Sequence, residues 1–357
     1  MSQLLHRSET MDGRNGGQQT APRPTIAAVI PLYNGAAFIE ETLRSVFAQT
    51  RTPDEIIVVD DGSTDGGADI VRRIAGDRAI VLRQPNQGQS CARNTGIAHA
   101  SSDLIALLDH DDIWYPTHLE ELTAQFMIDP GLGWAYSNSD WIDLSGAVIL
   151  PAYLDTHGST HPKRTALHCV AEDAHVLPSS SLISKAALEA VGGFDVRLSG
   201  YEDDDLFGRL FRAGYRNAYL SKPLGGWRHH PGSSGRSPRM LESRAIYAQS
   251  LLASYLGGTP QEQRIAMGVI LPRFLDSFAH EAKAALRQRD YAALGRTLDR
   301  YAFLRPYLPA WQRRLLGYVR PLLGNWCSAT AVRRLTKRCV KRLPRLAQLN
   351  REQHHFA

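Results

Sequence analysis

The sequence predicts an α/β fold: a mostly parallel, Rossmann-like sheet flanked by helices, followed by a helical C-terminal extension. Residues 25–112 alternate short apolar runs with amphipathic helical patterns, which is typical of βαβ units. From about residue 240 the patterns are helical. With 357 residues and a hydrophobic content of 43%, the chain is long enough for one large domain with an appendage.

The predicted elements of the N-terminal part alternate between strands and helices. Pro31 marks the end of the first strand, and Ser63, Thr64 and Asp65 offer side-chain oxygens that can cap the second helix. In chain order the predicted elements span residues 25–32, 37–49, 55–59, a helix to about 75, then 79–82, 89–100 and 103–108.

Polar side chains follow three of these predicted strands, at 33–34, 60–61 and 109–112. In an open α/β sheet, ligands bind outside the carboxyl ends of the strands, so these groups are expected to converge on one site. No G-x-G-x-x-G follows the first strand, which disfavours a dinucleotide-binding site.

The stretch 109–112, Asp-His-Asp-Asp, directly follows an apolar strand. Its three carboxylates repel one another, and partial burial increases the cost. A divalent cation would relieve that repulsion, and hard oxygen ligands suit Mg²⁺ or Mn²⁺. Taken alone, the same pattern also describes a solvated turn, so neighbouring motifs must decide.

The C-terminal part predicts helices at 245–255, 263–286 and 291–303, with Pro272 kinking or dividing the second. The first residues are rich in Gly, Gln, Arg and Ser, which predicts a disordered tail. The predicted organisation is a tail at 1–24, an α/β domain at 25–239 and a helical, basic extension at 240–357.

Cysteine use and hydropathy indicate a cytoplasmic protein. The four cysteines are widely spaced and form no C-x-x-C pair, which argues against a disulfide framework and a structural zinc site. The N-terminal residues lack the apolar core of a secretory signal, and no stretch approaches the roughly 18 apolar residues of a membrane span.

Positive charge is concentrated at the C-terminal end. Residues 301–357 hold twelve Lys or Arg against one acid, Glu352. Within 331–343, apolar side chains share one helical face and six basic side chains share the other. Such a helix suits an anionic membrane surface, or packs its apolar stripe on the domain. The tail carries no recognised nucleic-acid-binding motif, and no nucleic-acid partner is predicted.

Six motifs follow one another along residues 25–235. They are IPLYN at 30–34, VDDGSTD at 59–65, NQG at 86–88 with ARNTG at 92–96, LLDHDD at 107–112, GGFD at 192–195 and YEDDDL at 201–206. Their order and spacing resemble the family 2 glycosyltransferases of the GT-A fold. The resemblance implies that 25–239 is a GT-A glycosyltransferase domain.

The resemblance implies a metal-dependent, inverting transfer of a sugar, of the hexosyltransferase type, from a nucleotide-diphosphate sugar to an acceptor hydroxyl. On the donor side it implies that three residues line the nucleoside pocket, that Asp61 accepts a hydrogen bond from the base with Asp60 as the alternative, and that Arg93 pairs with the diphosphate. For Arg93 a structural ion pair is the competing interpretation. The three pocket residues are Pro31, Tyr33 and Asn34.

The same resemblance places the metal and the base. Asp109 and Asp111 match the D-x-D motif, with Asp112 as a further ligand, and His230 matches a late histidine that completes the metal shell or touches the diphosphate. Mn²⁺ or Mg²⁺ is the implied cofactor. A Glu-Asp pair supplies the general base, matched at Asp203.

The register of that pair is ambiguous, because residues 202–205 are four consecutive acids. Glu202 and Asp204 therefore remain alternatives to Asp203 as the base. Mutual repulsion is expected to raise at least one pKa in the run, which suits a base that works near neutral pH. The alternative to a catalytic base is a structural role, because negative charge is favourable at a helix N-terminus.

The processive members carry Q-x-x-R-W with membrane spans, and neither is found here, which favours single addition. The expected acceptor is a sugar or lipid-linked group in cell-surface polysaccharide or glycolipid synthesis, with the protein peripheral on the inner membrane face. Two alternatives remain open. A nucleotidyltransferase shares the sheet and metal chemistry but normally has a basic, Gly-rich loop after the first strand; the other alternative is a non-catalytic nucleotide-sugar or membrane-binding protein.

Overall fold

The computed structural model describes residues 23–156, 160–230, 239–311 and 313–314. Its centre is one nine-stranded sheet with the order β3-β2-β1-β4-β8-β6-β9-β5, and β7 pairs with β6 at the side. The strands are β1 Ile26–Leu32, β2 Glu55–Asp60, β3 Ile80–Arg83, β4 Leu104–Leu107, β5 Ile113–Trp114, β6 Leu132–Ile142, β7 Val148–Leu150, β8 Ser181–Ser184 and β9 Arg216–Arg228.

The first four strands form the parallel half of the sheet, with β1 between β2 and β4. Every residue of β1 is buried, because helices cover both faces of this half. That burial explains why the strand is continuously apolar rather than alternating. The helices of the sheet domain are α1 Ile39–Phe47, α2 Gly67–Ala75, α3 Gln89–His99, α4 His118–Ile128, α5 Tyr153–Thr156, α6 Ala166–Val170, α7 Lys185–Ala190 and α8 Glu202–Arg212.

The second half of the sheet is mixed. β8 is antiparallel to both β4 and β6, whereas β6 and β9 run parallel along most of their length. The prediction of an α/β sheet flanked by helices is confirmed, and the parallel arrangement holds mainly for the strands before residue 108. All three polar strand ends of the sequence prediction follow parallel strands and so meet at one edge.

The start of α2 agrees with the prediction in part. Its N-cap is Gly66, with a left-handed backbone and no capping side chain of its own, but Asp65 Oδ1 accepts from the N–H of Gly67, the first helical residue (2.9 Å). The predicted capping oxygens also bind neighbouring loops: Ser63 Oγ accepts from the Asn34 N–H (3.1 Å), and Asp65 Oδ2 accepts from the Ala36 N–H (2.7 Å). The first two strand ends are therefore tied together by the predicted caps.

The C-terminal region is helical and has its own buried core. A π-helical segment, Ala266–Ile270, directly precedes the helix that carries Pro272, so the helical run is irregular next to this proline but is not interrupted there. Within the described ranges, no helix combines the length and the apolarity needed to cross a membrane. The predicted tail up to residue 22 and the basic segment 331–343 lie outside those ranges. The helices are α9 Arg239–Leu256, α10 Pro260–Ile265, α11 Leu271–Gln288 and α12 Tyr291–Arg300.

Candidate active site

A cavity of about 810 Å³ opens at the edge where the polar strand ends meet. The loops after β1, β2 and β4 form one side, and the start of α8 and the end of β9 form the other. Among the residues predicted for the site, all but Asp60 line this cavity. They are Pro31, Tyr33, Asn34, Asp61, Arg93, Asp109, Asp111, Asp112, Glu202, Asp203, Asp204 and His230.

The two aspartates after β2 differ in their surroundings. Asp61 accepts from Gln84 Nε2 (2.7 Å) and the Gln87 N–H (2.9 Å) through Oδ1, and from the Gly88 N–H (2.8 Å) through Oδ2. Asp61 therefore fixes the loop between β3 and α3 beside the cavity. Asp60 lies away from the cavity, where its Oδ1 accepts from the Ser63 N–H (2.8 Å).

Asp109 is held by an internal ion pair. Arg93, which is 2% exposed, donates through Nη2 to both Asp109 oxygens (2.8 and 3.0 Å), and Gln89 Nε2 donates to Oδ1 (2.7 Å). Burial alone would lower the pKa of Arg93, but Asp109, Glu202 and Asp203 raise it above its ordinary value. This geometry favours the structural ion pair over a direct diphosphate contact for Arg93.

Asp111 contacts His230 at the edge of the cavity. The distance from Asp111 Oδ2 to His230 Nε2 is 2.9 Å, and both side chains are partly exposed, at 19% and 15%. The imidazole also packs against the ring of Phe38, with centroids 5.3 Å apart. Two residues that are 119 positions apart in sequence thus meet at the predicted metal position.

Asp112 is buried behind this pair. Its Oδ1 accepts from the Arg228 N–H (2.9 Å), and Arg228 Nε donates to the Asp111 carbonyl (2.7 Å). Burial, together with the nearby charges of Asp111 and Asp109, raises the pKa of Asp112 well above its ordinary value. The residue holds the loop 109–112 against β9.

His110 joins the loops after β4 and β1. Its Nδ1 lies 3.2 Å from the Pro31 carbonyl oxygen. A Cβ placed on Gly35 would come within 2.2 Å of the His110 ring, so this close approach requires glycine.

The residues at this edge fit a divalent cation. A carboxylate oxygen of Asp111 and an imidazole nitrogen of His230 are suitable ligands, and the ion would offset the crowded negative charge of 109–112. Across 23–156, 160–230 and 239–314 apart from residue 312, no group of three or more His, Cys, Asp or Glu is arranged to hold a metal.

The four acids at 202–205 have different partners. Glu202 accepts from the Gly200 N–H and lies 3.4 Å from Arg93 Nη1, Asp204 accepts from the Ala174 N–H (2.6 Å), and Asp205 pairs with Arg209 (2.6 Å).

Asp203 differs from its three neighbours. Within the described part of the chain, its carboxylate has no hydrogen-bond or ion-pair partner outside its own residue. Burial raises the pKa of Asp203 well above its ordinary value, and the nearby Glu202 adds to the shift. Asp203 therefore lines the cavity with a carboxyl group that binds a proton more strongly than an ordinary aspartate does.

An aromatic wall, which the sequence did not predict, lines the side of the cavity formed by β6 and β9. Trp141 stacks on Tyr153 (4.8 Å between centroids) and on His229 (5.0 Å), and Trp227 crosses Trp141 at 61°. Parallel pairing brings Trp141 and Trp227 side by side. No local pattern signals this register, because the two strands are separated by more than 70 residues.

Solved structures identify the fold class. The chain superposes on Staphylococcus aureus TarS 1–349 in complex with UDP-GlcNAc with a TM-score of 0.61, at 18% identity over 93% of each chain. It also superposes on the mannosyltransferase PcManGT from Pyrobaculum calidifontis, in complex with GDP-Man and Mn²⁺, with a TM-score of 0.50 and 20% identity, covering 94% of this chain and 89% of that one. The architecture is the GT-A type of glycosyltransferases.

The family model for Glycosyl transferase family 2 matches residues 27–188, in agreement with the resemblance that the sequence motifs show. An uncharacterized glycosyltransferase from Rickettsia bellii is 26% identical over 75% of this chain, and the Pasteurella multocida chondroitin synthase is 25% identical over 54% of it. The matched regions span 39% and 19% of these relatives, so the chain covers well under two thirds of their length.

Proposed function

We propose that this protein transfers a sugar, with inversion, from a nucleotide-diphosphate sugar to an acceptor hydroxyl, and that Asp203 is the general base. The observation that carries the proposal is the free carboxylate of Asp203 in the same cavity as Asp111 and His230. Glu202, Asp204 and Asp205 are each engaged by internal donors, which supports Asp203 among the four acids.

In the proposed reaction the acceptor hydroxyl gives its proton to the Asp203 carboxylate as its oxygen attacks the anomeric carbon. The bond between that carbon and the diphosphate oxygen breaks, and the electron pair leaves with the nucleotide diphosphate. A base with a raised pKa suits this task, because it binds the proton more strongly than an ordinary aspartate would. A single displacement of this kind inverts the anomeric carbon.

Asp111 and His230 are the residues that would hold Mn²⁺ or Mg²⁺. When bound, the ion would stabilise negative charge on the departing diphosphate. The Mn²⁺ and GDP-Man in the PcManGT structure support a metal for this fold. Arg93 contributes indirectly, because its ion pair fixes Asp109 and leaves Asp111 as the acid that faces His230.

On the donor side, Pro31, Tyr33 and Asn34 are proposed to line the nucleoside pocket. Asp61 is preferred over Asp60 as the acceptor for the base, because it lines the cavity and its Oδ2 receives one hydrogen bond from the described residues. A carboxylate oxygen can accept two. The UDP-GlcNAc bound in the TarS structure supports a nucleotide-sugar donor.

On the acceptor side, the aromatic wall suits the C–H face of a sugar ring, since aromatic faces carry partial negative charge. A sugar or lipid-linked acceptor in cell-surface polysaccharide or glycolipid synthesis is proposed, and the match to chondroitin synthase supports it. The basic residues of 331–343 would hold the protein on the cytoplasmic membrane face. Sedimentation with anionic vesicles at low salt tests this part, and failure to sediment contradicts it.

The test is a screen of nucleotide sugars with and without Mn²⁺, read out by thermal stabilisation and by release of the nucleotide diphosphate. One donor should stabilise the protein in the presence of Mn²⁺ and should be consumed. Asp111→Ala should remove the Mn²⁺-dependent stabilisation, whereas Asp54→Ala, at an exposed position before β2, should retain it. If no nucleotide sugar stabilises or reacts, the proposal fails.

A further inference from the structure

The chain enters α8 through a strained turn. Tyr201, the residue before the helix, has a left-handed backbone (φ +74°) although it is not glycine. Such a conformation is unfavourable for a bulky residue and persists only where surrounding contacts hold it. Tyr201 is almost fully buried, so its side chain supplies those contacts.

Helix α9, in the C-terminal region, binds this turn through hydrogen bonds and close packing. Ser243 Oγ accepts from the Ser199 N–H (2.8 Å) and donates to the Ser199 carbonyl oxygen (3.1 Å). A Cβ on Gly200 would meet Met240 Cγ at 3.1 Å, which shows how closely α9 approaches the turn. The backbone before Tyr201 is thus bound to α9 through both the N–H and the carbonyl of Ser199, and Gly200 lies close to Met240.

The side chain of Tyr201 is bound to the same helix. Arg244 Nε donates to the Tyr201 hydroxyl (2.8 Å), and the ring of Tyr201 stacks on Tyr247 with centroids 5.6 Å apart. Arg244 is anchored in turn by Glu281 on α11, at 3.4 Å. Glu281 also accepts from Arg300 (2.7 Å), so α9, α11 and α12 form one charged network behind Tyr201.

The sheet domain holds the other end of the same segment. Ser90 Oγ on α3 donates to the Leu198 carbonyl oxygen (3.0 Å), and Asn94 exchanges two hydrogen bonds of 2.8 Å with the backbone of Phe194. Residues 194–201 are therefore bound to α3 at one end and to α9 at the other. Asp203 follows two residues later, and no outside partner orients its carboxylate within the described chain.

We infer that Arg244 and Tyr201 are positioning residues for the proposed base: the contact between them fixes the turn that aims Asp203 into the cavity. This inference rests on the proposed function. It assigns the helical extension a part in the reaction. The contacts from α9 fix the turn before Asp203, whose own carboxylate has no partner to orient it within the described chain. Misplacing a reacting group by about 1 Å can cost about 100-fold in rate.

The test compares Tyr201→Phe and Arg244→Met with the full-length wild type. Tyr201→Phe removes one hydroxyl and keeps the ring on Tyr247, so it serves if Arg244→Met does not fold. The matched control is Arg212→Met, which removes an arginine that pairs with Glu262 (2.7 Å) and lies over the ring of Tyr255 (5.2 Å). All variants are assayed with the donor identified in the nucleotide-sugar screen.

The expected result is a fall in kcat of about 10- to 100-fold in both test variants, with unchanged donor KM. The acidic limb of the pH profile should also move to lower pH. Glu202 and Asp204 on α8 and Arg93 on α3 are the charged groups that face Asp203, and a loosened turn would expose its carboxylate to water. Arg244→Lys, which keeps a donor, should recover part of the rate.

Two outcomes would overturn the inference. The first is a wild-type kcat and pH profile in Tyr201→Phe and in any folded Arg244 variant. The second is a loss of rate that only follows loss of folded protein, with an unmoved pH profile, as Arg212→Met would give for a purely structural contact. Asp203→Asn separates the two proposals: if it retains transfer, the proposed base is wrong whatever the Arg244 variants do.

Discussion

In the acidic loop 109–112 and in the acidic run 202–205, internal partners bind most of the carboxylates and leave one less engaged. Each brings more carboxylates to the cavity than one reaction needs, and each binds most of them internally. Arg93 and Arg228 engage Asp109 and Asp112 in the loop, which leaves Asp111 facing His230.

In the run, three of the four acids are engaged by Arg93, by a backbone N–H and by Arg209, which leaves Asp203. Arg93 contacts both clusters and therefore couples them. The comparison teaches that the partners of an acid, rather than its place in a motif, distinguish a ligand or base from a structural residue.

The largest expected effect comes from removing the free acid of the run. Asp203→Asn keeps the size of the side chain but cannot take a proton, so transfer should fall by about 10²- to 10⁴-fold. Donor binding, measured by calorimetry with Mn²⁺ present, should stay close to the wild type. In the wild type, activity should rise with pH through the raised pKa of Asp203, because only the ionised form is a base. Retained transfer in Asp203→Asn would contradict the assignment.

Removing the residue that joins the two clusters should act on stability. Arg93→Met leaves the buried Glu202 and the partly buried Asp109 without their cation, which is expected to cost about 3–5 kcal/mol in the free energy of unfolding. Urea denaturation measures the loss. Arg44→Met, which breaks an exposed pair with Glu40, is the control and should change stability by less than about 1 kcal/mol. Equal effects would show that Arg93 does not couple the clusters.

The comparison also predicts unequal metal dependence within the loop 109–112. Asp111→Asn should lower the apparent Mn²⁺ affinity in the presence of donor by roughly 10- to 100-fold, the size of effect seen when a metal's surroundings are altered. Titration of Mn²⁺ against donor-dependent stabilisation measures this. Asp109→Asn should change the apparent Mn²⁺ affinity less and stability more, because Asp109 is paired with Arg93. The reverse pattern would exchange their roles.

The smallest effect concerns Asp204. Burial and the nearby Asp173 raise the pKa of Asp204 to about 7, so the folded state favours its protonated form. That contribution to stability is complete below the ordinary aspartate pKa and is lost as pH rises through about 7. Asp204→Asn should therefore raise the unfolding temperature by several degrees at pH 8.5 and by much less at pH 5. An equal shift at both pH values would count against the buried acid.

The sequence predicted the fold class and the polar strand ends, because strand periodicity and end residues are local. It could not decide which acid of each cluster is free. That choice depends on partners far away in sequence: Asp204 is engaged by the backbone of Ala174, and Asp111 meets His230. The N-cap of α2 is Gly66 rather than one of the predicted capping residues for a similar reason, because Asp65 also accepts a hydrogen bond from the Ala36 N–H in another loop.

The central claim is that Asp203 alone among residues 202–205 is the base. The most direct test measures the transfer rate of Glu202→Gln, Asp203→Asn, Asp204→Asn and Asp205→Asn under one condition, corrected for folded protein and donor binding. Asp203→Asn should be the variant that binds donor normally yet barely turns over, and Asp204→Asn should lose far less. An inactive Asp204→Asn or Asp205→Asn beside an active Asp203→Asn would contradict the claim.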